Sequence, residues 1–398
     1  MHANSYGKGK GVDLHDTGIA FQHLTNVELR RAQMLFKAMS YQPLSAIGPS
    51  MVTWALKLHL PIGPIIRKTI FSQFCGGESI DEALVSAGHL ARHNVRSILD
   101  YAVEGAQSEE SFARTEAELE NVIKISSSHA HVSFAVFKPT GITRFALLEK
   151  VSRGETLTPA ESSDWELANQ RFQNLCALAR KQNIRIMIDA EETWIQPAID
   201  QMCETAMQLH NGNQAYVFTT IQLYRKDGLA RLEQQYNAAK AGGYHFGVKL
   251  VRGAYLIKER ERAKAHGLDS PLHSTKKATD HEFDQAMRFC VNHLDHMAIC
   301  AGTHNDSSTL HLAKLMADRG IAKNDSRIEF AQLLGMSDNL TFNLAHHGYN
   351  VSKYVPYGPV EAVLPYLFRR AEENTAIRGQ VSRELSLIES EIQRRRSN

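Results

Sequence analysis

The chain of 398 residues has only five cysteines, Cys75, Cys176, Cys203, Cys290 and Cys300, widely spaced and without a CxxC pair. That odd, scattered set argues against a disulfide framework and predicts reduced thiols in an intracellular protein. Nowhere does an apolar run reach the roughly 18–20 residues a membrane helix needs. The opening stretch from Met1 to Asp16 lacks the apolar core of a secretory signal and the arginines of a transit peptide, so neither is expected. Charge of one sign is also scarce: Lys and Arg total 45 against 43 Asp and Glu, a net of +2. No basic face stands out, so nucleic acid is not an expected partner. The basic residues Arg394, Arg395 and Arg396 read first as a solvated helix end and second as a contact for lipid headgroups. The expected location is the cytoplasm, with peripheral contact at the inner face of the cell membrane as the open alternative.

Phosphate-binding motifs are missing too. Gly7-Lys8-Gly9-Lys10-Gly11 follows no strand and has the wrong spacing for a dinucleotide loop, and there is no Walker A sequence. No metal is expected either. His129-Ala130-His131 has an HxH spacing, but it precedes its strand, which puts it at the wrong end of a barrel for a metal site. Neither His346-His347 nor the His293/His296 pair has ligands nearby at suggestive spacing, and the Asp-Ala-Glu-Glu run at 189–192 lacks clustered partners.

What is present is an ordinary soluble composition, 43% apolar and 22% charged, enough for a large core. Residues 1–20 read as a loose arm. A helical region then begins at Leu24-Thr25, with Thr25 able to cap, and is broken by Pro43, Pro49, Pro61 and Pro64. After His93 short apolar runs alternate with longer segments of helical period. The runs are Val95–Ala102, Val132–Lys138, Ile184–Asp189, Ala215–Gln222, Phe246–Val251, Met297–Ala301, Arg327–Leu334 and Tyr349–Pro356. Eight such units predict parallel strands and suggest an α/β fold closed as a (β/α)8 barrel of the TIM type, with a doubly wound open sheet as the alternative. Long connections at 139–183 and 253–296 hold further helical matter. The expected division is an arm and helical region over 1–92, a barrel over 93–376, and a C-terminal helix with a basic tail over 377–398.

Most predicted strands carry polar residues at or near their C-terminal ends: Lys138, Asp189, Gln222, Lys249 with Arg252, Thr303-His304-Asn305, and Tyr354. A single such residue is usually a solvated boundary. Six together are harder to dismiss, because barrel strands converge at their C-terminal ends on one mouth where active sites are built. In β geometry Asp189 shares a face with Met187 and points into that mouth, while Ile184, Ile186 and Ile188 face the outer helices. Lys138 likewise shares a face with Val136 and Phe134. After the last run, Tyr366, Arg369, Arg370 and Glu373 follow helical spacing on one face. In isolation that pattern is a solvated salt-bridge face. At the mouth, two guanidinium groups make a fork for a carboxylate or phosphate.

In chain order the strand ends read FKPTG (137–141), IDAEETW (188–194), TIQLYRKD (220–227), KLVRGAY (249–255), GTHND (302–306), EFAQLLGM (329–336) and YVPYGPVEAVLPYLFRRAEEN (354–374). Over about residues 93–376 this set resembles the proline dehydrogenases, in particular their monofunctional, eukaryote-like branch. The resemblance implies a distorted (β/α)8 barrel holding FAD. It also implies oxidation of L-proline to Δ1-pyrroline-5-carboxylate by hydride transfer to flavin N5, with electrons passed to a quinone. No aldehyde dehydrogenase or DNA-binding domain of the fused bacterial forms is expected. Lys138, Arg369 and Arg370 would hold the substrate carboxylate, Asp189 would organise the site, and Tyr354 would pack on the substrate ring near Tyr255 and Leu333. Ala190, Gln222, Arg252, Gly253, Ala254, Thr303, His304, Asn305 and Glu373 would contact FAD. Lys249 would lie near flavin N5, where many bacterial members have arginine. Tyr354 favours proline over hydroxyproline, whose oxidases tend to have a smaller residue there. Two alternatives stay open: a hydroxyproline dehydrogenase on the same scaffold, and an inactive barrel acting as a binding protein.

Overall fold

The computed structural model describes residues 12–40, 66–103, 105–376 and 380–397, without the side chains of 371–376 and 380. The expected breaks at Pro43, Pro49, Pro61 and Pro64, and the Gly7–Gly11 run, lie outside the described residues. Eight strands follow one another: β1 (Arg96–Tyr101), β2 (Val132–Phe137), β3 (Arg185–Ile188), β4 (Val217–Gln222), β5 (Phe246–Val251), β6 (Met297–Gly302), β7 (Ile328–Leu333) and β8 (Val351–Tyr357). Each pairs in parallel with the next, and β8 returns to β1 through Arg96↔Ser352 to Tyr101↔Tyr357, closing the barrel. Closure excludes the open sheet and removes every strand edge. Each predicted run overlaps its strand, with ends differing by at most two residues, and those of β6 and β8 stop one residue short of the strand end.

Alternation along the strands divides the core. Ile98, Phe134, Val136, Met187, Phe218, Ala298, Cys300, Ala331 and Tyr354 fill the barrel interior. The intervening positions, among them Leu99, Ala135, Phe137, Ile186, Ile188, Val248 and Leu250, pack outward on the helices. β3 therefore splits as its sequence predicts, with Met187 inside and Ile186 and Ile188 outside. The helices start on local signals. Thr158 and Glu161 form a capping box with Pro159 in the first turn of Pro159–Lys181, and Ser108 with Ser111 does the same for Glu109–Ser127. Both long connections hold two helices, Phe145–Ser152 with Pro159–Lys181 and Leu256–Ala265 with Lys276–Asn292.

The barrel's N-terminal floor is closed by ions. Fully buried Glu329 pairs with Arg96, lies 3.6 Å from Arg185 and accepts the Ser352 hydroxyl at 2.5 Å. Arg185 also lies over the Phe134 ring at 4.1 Å. These groups satisfy one another, so the floor is a plug, and the opposite rim is left for chemistry.

A second apolar cluster joins the chain's two ends. Phe21, Leu29, Phe36, Phe71 and Phe74 pack with Val363, Leu364 and Leu367 of the helix Val360–Ala376 and with Val381 and Ile388 of the helix Gln380–Ser397. The arm expected to be loose over 1–20 is ordered where it is described: Leu14 is buried, and Asp16 caps the short helix Thr17–Ala20. The basic tail is not simply solvated either. Arg395 donates to the carbonyls of Phe21 and Leu24 and to Asn26, because the two ends of the chain meet there.

Lys353, facing outward from β8, is fully buried. Its ammonium lies 2.7 Å from Asp338 Oδ1 and donates to the carbonyls of Leu333 and Met336. Burial opposes ionisation of Asp338, but Lys353 and His23 outweigh it and hold the carboxyl below its usual range. Lys353→Met is expected to destabilise the protein by about 3–5 kcal/mol, since it strands a buried carboxylate. The double variant Lys353→Met/Asp338→Leu should recover most of that loss in urea unfolding; equal losses in single and double variants would contradict the pairing.

Candidate active site

The rim opposite the floor gathers residues from five strands. β2 runs into Lys138, whose backbone is still extended (φ −104°, ψ 129°) before the turn Pro139–Gly141. β3 runs into Asp189, whose amide donates to Phe137 O at 3.1 Å and so continues the parallel ladder. Lys249 lies in β5, opposite Thr220 of β4 and Cys300 of β6. Tyr354 lies in β8, opposite Leu333 of β7 and Ile98 of β1.

These side chains touch. Asp189 Oδ2 lies 3.1 Å from Lys138 Nζ and accepts the Tyr354 hydroxyl at 2.7 Å. Its other oxygen, Oδ1, pairs with Lys249. Lys249 Nζ is 5.2 Å from the centre of the Tyr354 ring, a cation–π contact. Lys138 is bonded on its far side as well, with its ammonium 3.4 Å from Asp100 Oδ2. The sequence reading missed Asp100. It lies on β1 and shares the inward face of Ile98, the same alternation signal that marked Asp189. Lys138, Lys249 and Asp100 are buried and Asp189 is nearly so, giving an alternating acid–base chain in low dielectric.

The electrostatics follow from that order. Burial opposes the charge on Asp189, but Lys249 and Lys138 outweigh it and hold the carboxyl below its usual range. Asp100 goes the other way. Complete burial raises its carboxyl, Asp189 adds to the rise, and the opposing pull of Lys138 and Lys249 does not offset it. The Tyr354 phenol is raised by burial and by the two carboxylates, so it remains a proton donor to Asp189.

Loops fasten the cluster. Glu191 accepts the Thr140 amide at 3.0 Å and its hydroxyl at 2.5 Å, tying the turn after Lys138 to the loop after Asp189. Glu259 accepts both the amide and the hydroxyl of Thr193 at 2.7 Å, so the helix Leu256–Ala265 holds that loop from outside.

A second group lies along the ends of β4, β5 and β6. Arg252 donates to Thr303 Oγ1 at 2.6 Å, to Ser308 Oγ at 2.9 Å and to Asp280. Gly253 has φ +130°, and a Cβ there would meet the Tyr224 ring at 2.5 Å, so only glycine fits. Gln222 donates to Glu191 O at 3.1 Å, while its buried Oε1 has no hydrogen-bond partner among the described residues. His304 has its Nδ1 2.9 Å from Ser337 Oγ. Burial, together with Lys353, Arg370, Arg383 and Arg252, keeps its imidazole neutral well below the usual histidine range. The carboxamide oxygen of Asn305 accepts the Ser308 amide and so caps the helix Asp306–Asp318. Ala190 is buried beside Asp189.

The helix Val360–Ala376 brings the two arginines. Arg369 lies over the Tyr255 ring at 5.4 Å, and buried Arg370 lies over Tyr366 at 5.1 Å, close enough to His304 to depress its proton affinity. Pro359 immediately precedes this helix and Pro365 lies inside it. The side chain of Glu373 lies outside the described residues. Among the described residues no group of three or more His, Cys, Asp or Glu side chains is arranged to hold a metal ion.

Asp189→Asn is expected to destabilise the protein by about 3 kcal/mol at neutral pH, the scale for breaking a buried pair. The folded carboxyl is held below its unfolded value. Its stabilisation is therefore complete above the ordinary Asp pKa of about 4 and is lost as pH falls through the folded value. Unfolding curves should show the gap between the two proteins widest near neutrality and closing on acidification. A gap unchanged down to about pH 3 would count against the assignment.

Comparison with known proteins places this geometry among relatives. A family model described as proline dehydrogenase matches residues 83–383. The carbapenem antibiotics biosynthesis protein CarD of Pectobacterium carotovorum subsp. carotovorum is 35% identical over 324 residues, covering 81% of this chain and 84% of that one. The mitochondrial proline dehydrogenase 1 of Arabidopsis thaliana is 30% identical over 436 residues, 97% of this chain and 87% of that one. A hydroxyproline dehydrogenase of Xenopus laevis is 28% identical and covers 98% of this chain and 92% of its own. Among solved structures, proline utilization A (PutA) from Bdellovibrio bacteriovorus superposes with a TM-score of 0.71 at 16% identity, a likeness of fold. That match covers 91% of this chain but only 42% of the longer protein.

Proposed function

The chain belongs to the proline dehydrogenase family and is an oxidoreductase acting on proline, and from that premise we propose that it does so with FAD bound at the barrel mouth, oxidising L-proline to Δ1-pyrroline-5-carboxylate. The observation that carries the reading is the meeting of Lys138, Asp189, Lys249 and Tyr354, drawn from four strands, in one buried hydrogen-bonded cluster.

The residues present fit the cofactor. The unpartnered Gln222 Oε1 offers a buried acceptor, Arg252 offers a fixed guanidinium for a pyrophosphate, and Gly253 leaves a path that a Cβ would fill. Gln222, Lys249, Arg252, Gly253 and Ala254 would hold FAD together with Ala190, Thr303, His304, Asn305 and Glu373. Asn305 would act through its backbone, because its side chain already caps a helix. When bound, FAD supplies the hydride acceptor at flavin N5 and the means to pass electrons to a quinone.

The protein's own part is alignment and electrostatics. Lys138, Arg369 and Arg370 would hold the proline carboxylate, a charge that needs fixed cations once water is excluded. Tyr354, with Leu333 beside it in register and Tyr255 under Arg369, would form the wall against the pyrrolidine ring. Asp189 sets the position of both lysines and of the Tyr354 hydroxyl, so it organises the cluster without receiving the hydride. The three-part division into 1–92, 93–376 and 377–398 is offered on the same footing, with the barrel carrying the chemistry and the flanks supporting it. Work in the cytoplasm with a quinone acceptor goes with peripheral contact at the inner face of the cell membrane; no described helix is long and apolar enough to cross one.

The second reading is oxidation of hydroxyproline, favoured by the Xenopus relative and opposed by the bulk of Tyr354 where hydroxyproline oxidases tend to carry less. The ratio of kcat/KM for the two substrates separates them. Purified protein should be yellow and should bleach with proline under anaerobic conditions; a colourless protein still inert after added FAD would end the cofactor reading. Arg370→Ala should raise the proline KM by about 30-fold or more, from the roughly 2–5 kcal/mol cost of stranding a buried partner, while flavin content stays near wild type. An unchanged KM in steady-state assays would remove the carboxylate fork.

A further inference from the structure

The helix Gln380–Ser397 follows the barrel in sequence, yet its first turns reach the mouth. Arg383 Nη1 donates to Asp306 Oδ1 at 2.9 Å, and Nη2 donates to the His304 carbonyl and to Ser337 Oγ, each at 3.1 Å. Glu384, buried next to it, accepts the Ser337 amide at 3.0 Å and the Ser337 hydroxyl at 3.2 Å. Ser337 is fully buried in the left-handed region (φ 52°, ψ 45°), which non-glycine residues hold only where their surroundings over-determine it. The same hydroxyl lies 2.9 Å from His304 Nδ1. Two adjacent side chains of one helix thus join the end of β6 to the loop after β7.

Docking the helix does not need these charges. Val381 and Ile388 are buried in the apolar cluster, with Leu385 and Ile392 packed beside them. Bringing a carboxylate and part of a guanidinium out of water is costly and is retained where it fixes geometry. What they fix here is the segment Thr303-His304-Asn305.

We propose that Arg383 and Glu384 are positioning residues for the cofactor mouth, clamping the His304 backbone and ring so that FAD meets a preformed edge. The inference rests on the FAD reading above. Neither residue belongs to the Lys138–Asp189–Lys249–Tyr354 cluster, so the clamp acts on cofactor binding and leaves the substrate's partners alone.

The test is FAD titration of flavin-stripped full-length protein, followed by flavin fluorescence. Arg383→Ala should weaken FAD binding on the order of tenfold or more, as loss of supporting contacts does at metal sites. Millimolar guanidinium should restore much of it. Glu384→Gln keeps the acceptor for the Ser337 amide and should bind FAD nearly as wild type, whereas Glu384→Ala should not. At saturating FAD the proline KM of Arg383→Ala should stay within about twofold. Ile388→Ala, which loosens the same helix without touching the clamp, should lower Tm and leave FAD affinity unchanged. Wild-type affinity in Arg383→Ala, or an equal loss in Ile388→Ala, overturns the proposal. Should Arg383→Ala fail to fold, Arg383→Lys decides: it keeps the charge but not the fork, so weakened binding supports the clamp and unchanged binding overturns it. Wild-type protein that takes up no FAD sinks the cofactor reading itself, a result distinct from all of these.

Discussion

One carboxylate organises this molecule. Asp189 carries two lysines and a phenol on its two oxygens, in a rim where solvent is largely excluded. Such an arrangement persists only if each member is paired, because an unpaired charge in that setting costs several kcal/mol. The need for pairing reaches outward: Lys138 has a second partner in buried Asp100, and Asp100 is itself raised toward its neutral form by burial. The five strands that supply these groups must therefore hold their register closely. A one-residue slip would turn an inward charge into the apolar outer layer.

Closing the barrel is what makes such a cluster affordable in structural terms. Polar groups occur inside at both ends. At the floor Glu329, Arg96, Arg185 and Ser352 satisfy one another and seal the N-terminal end. At the rim the polar groups are held in place from outside by loops and helices, through Glu191 on Thr140 and Glu259 on Thr193. Between them lie Phe134, Val136, Met187 and Phe218, an apolar layer that keeps the two ionic sets apart. The difference between a plug and a site is thus one of geometry: the floor residues point at each other, and the rim residues are supported from behind.

The flanking helices extend that support. Lys353 and Asp338 form a second buried pair on the outside of β8, with His23 of the N-terminal region against the same carboxylate. Arg383 and Glu384 enter from the C-terminal helix onto Ser337 and His304. Both ends of the chain, which also pack on each other, converge on the loop that follows β7. Segments that look like appendages in the sequence therefore sit next to the barrel rim in space.

The eight strands were legible because each is an apolar run between longer segments of helical period, most with polar residues near the C-terminal end, and inward and outward faces were legible from alternation, as Met187 against Ile186 and Ile188 shows. The rim residues Lys138, Asp189, Lys249 and Tyr354 were legible because they stand in the C-terminal halves of parallel strands or just after them, and those halves converge on one mouth. Asp100 was missed although it carries the same alternation signal. Other facts had no local signal at all. That Arg395 pins Phe21 and Leu24, that Lys353 is buried against Asp338, and that Arg383 reaches His304 depend on contacts between positions far apart in the chain. Sequence by itself determined what each segment would become, since propensity and period act over a few neighbours. Only the closed tertiary structure decided which charges would share a partner, because pairing depends on distance in space, and that is set by the packing of the whole barrel.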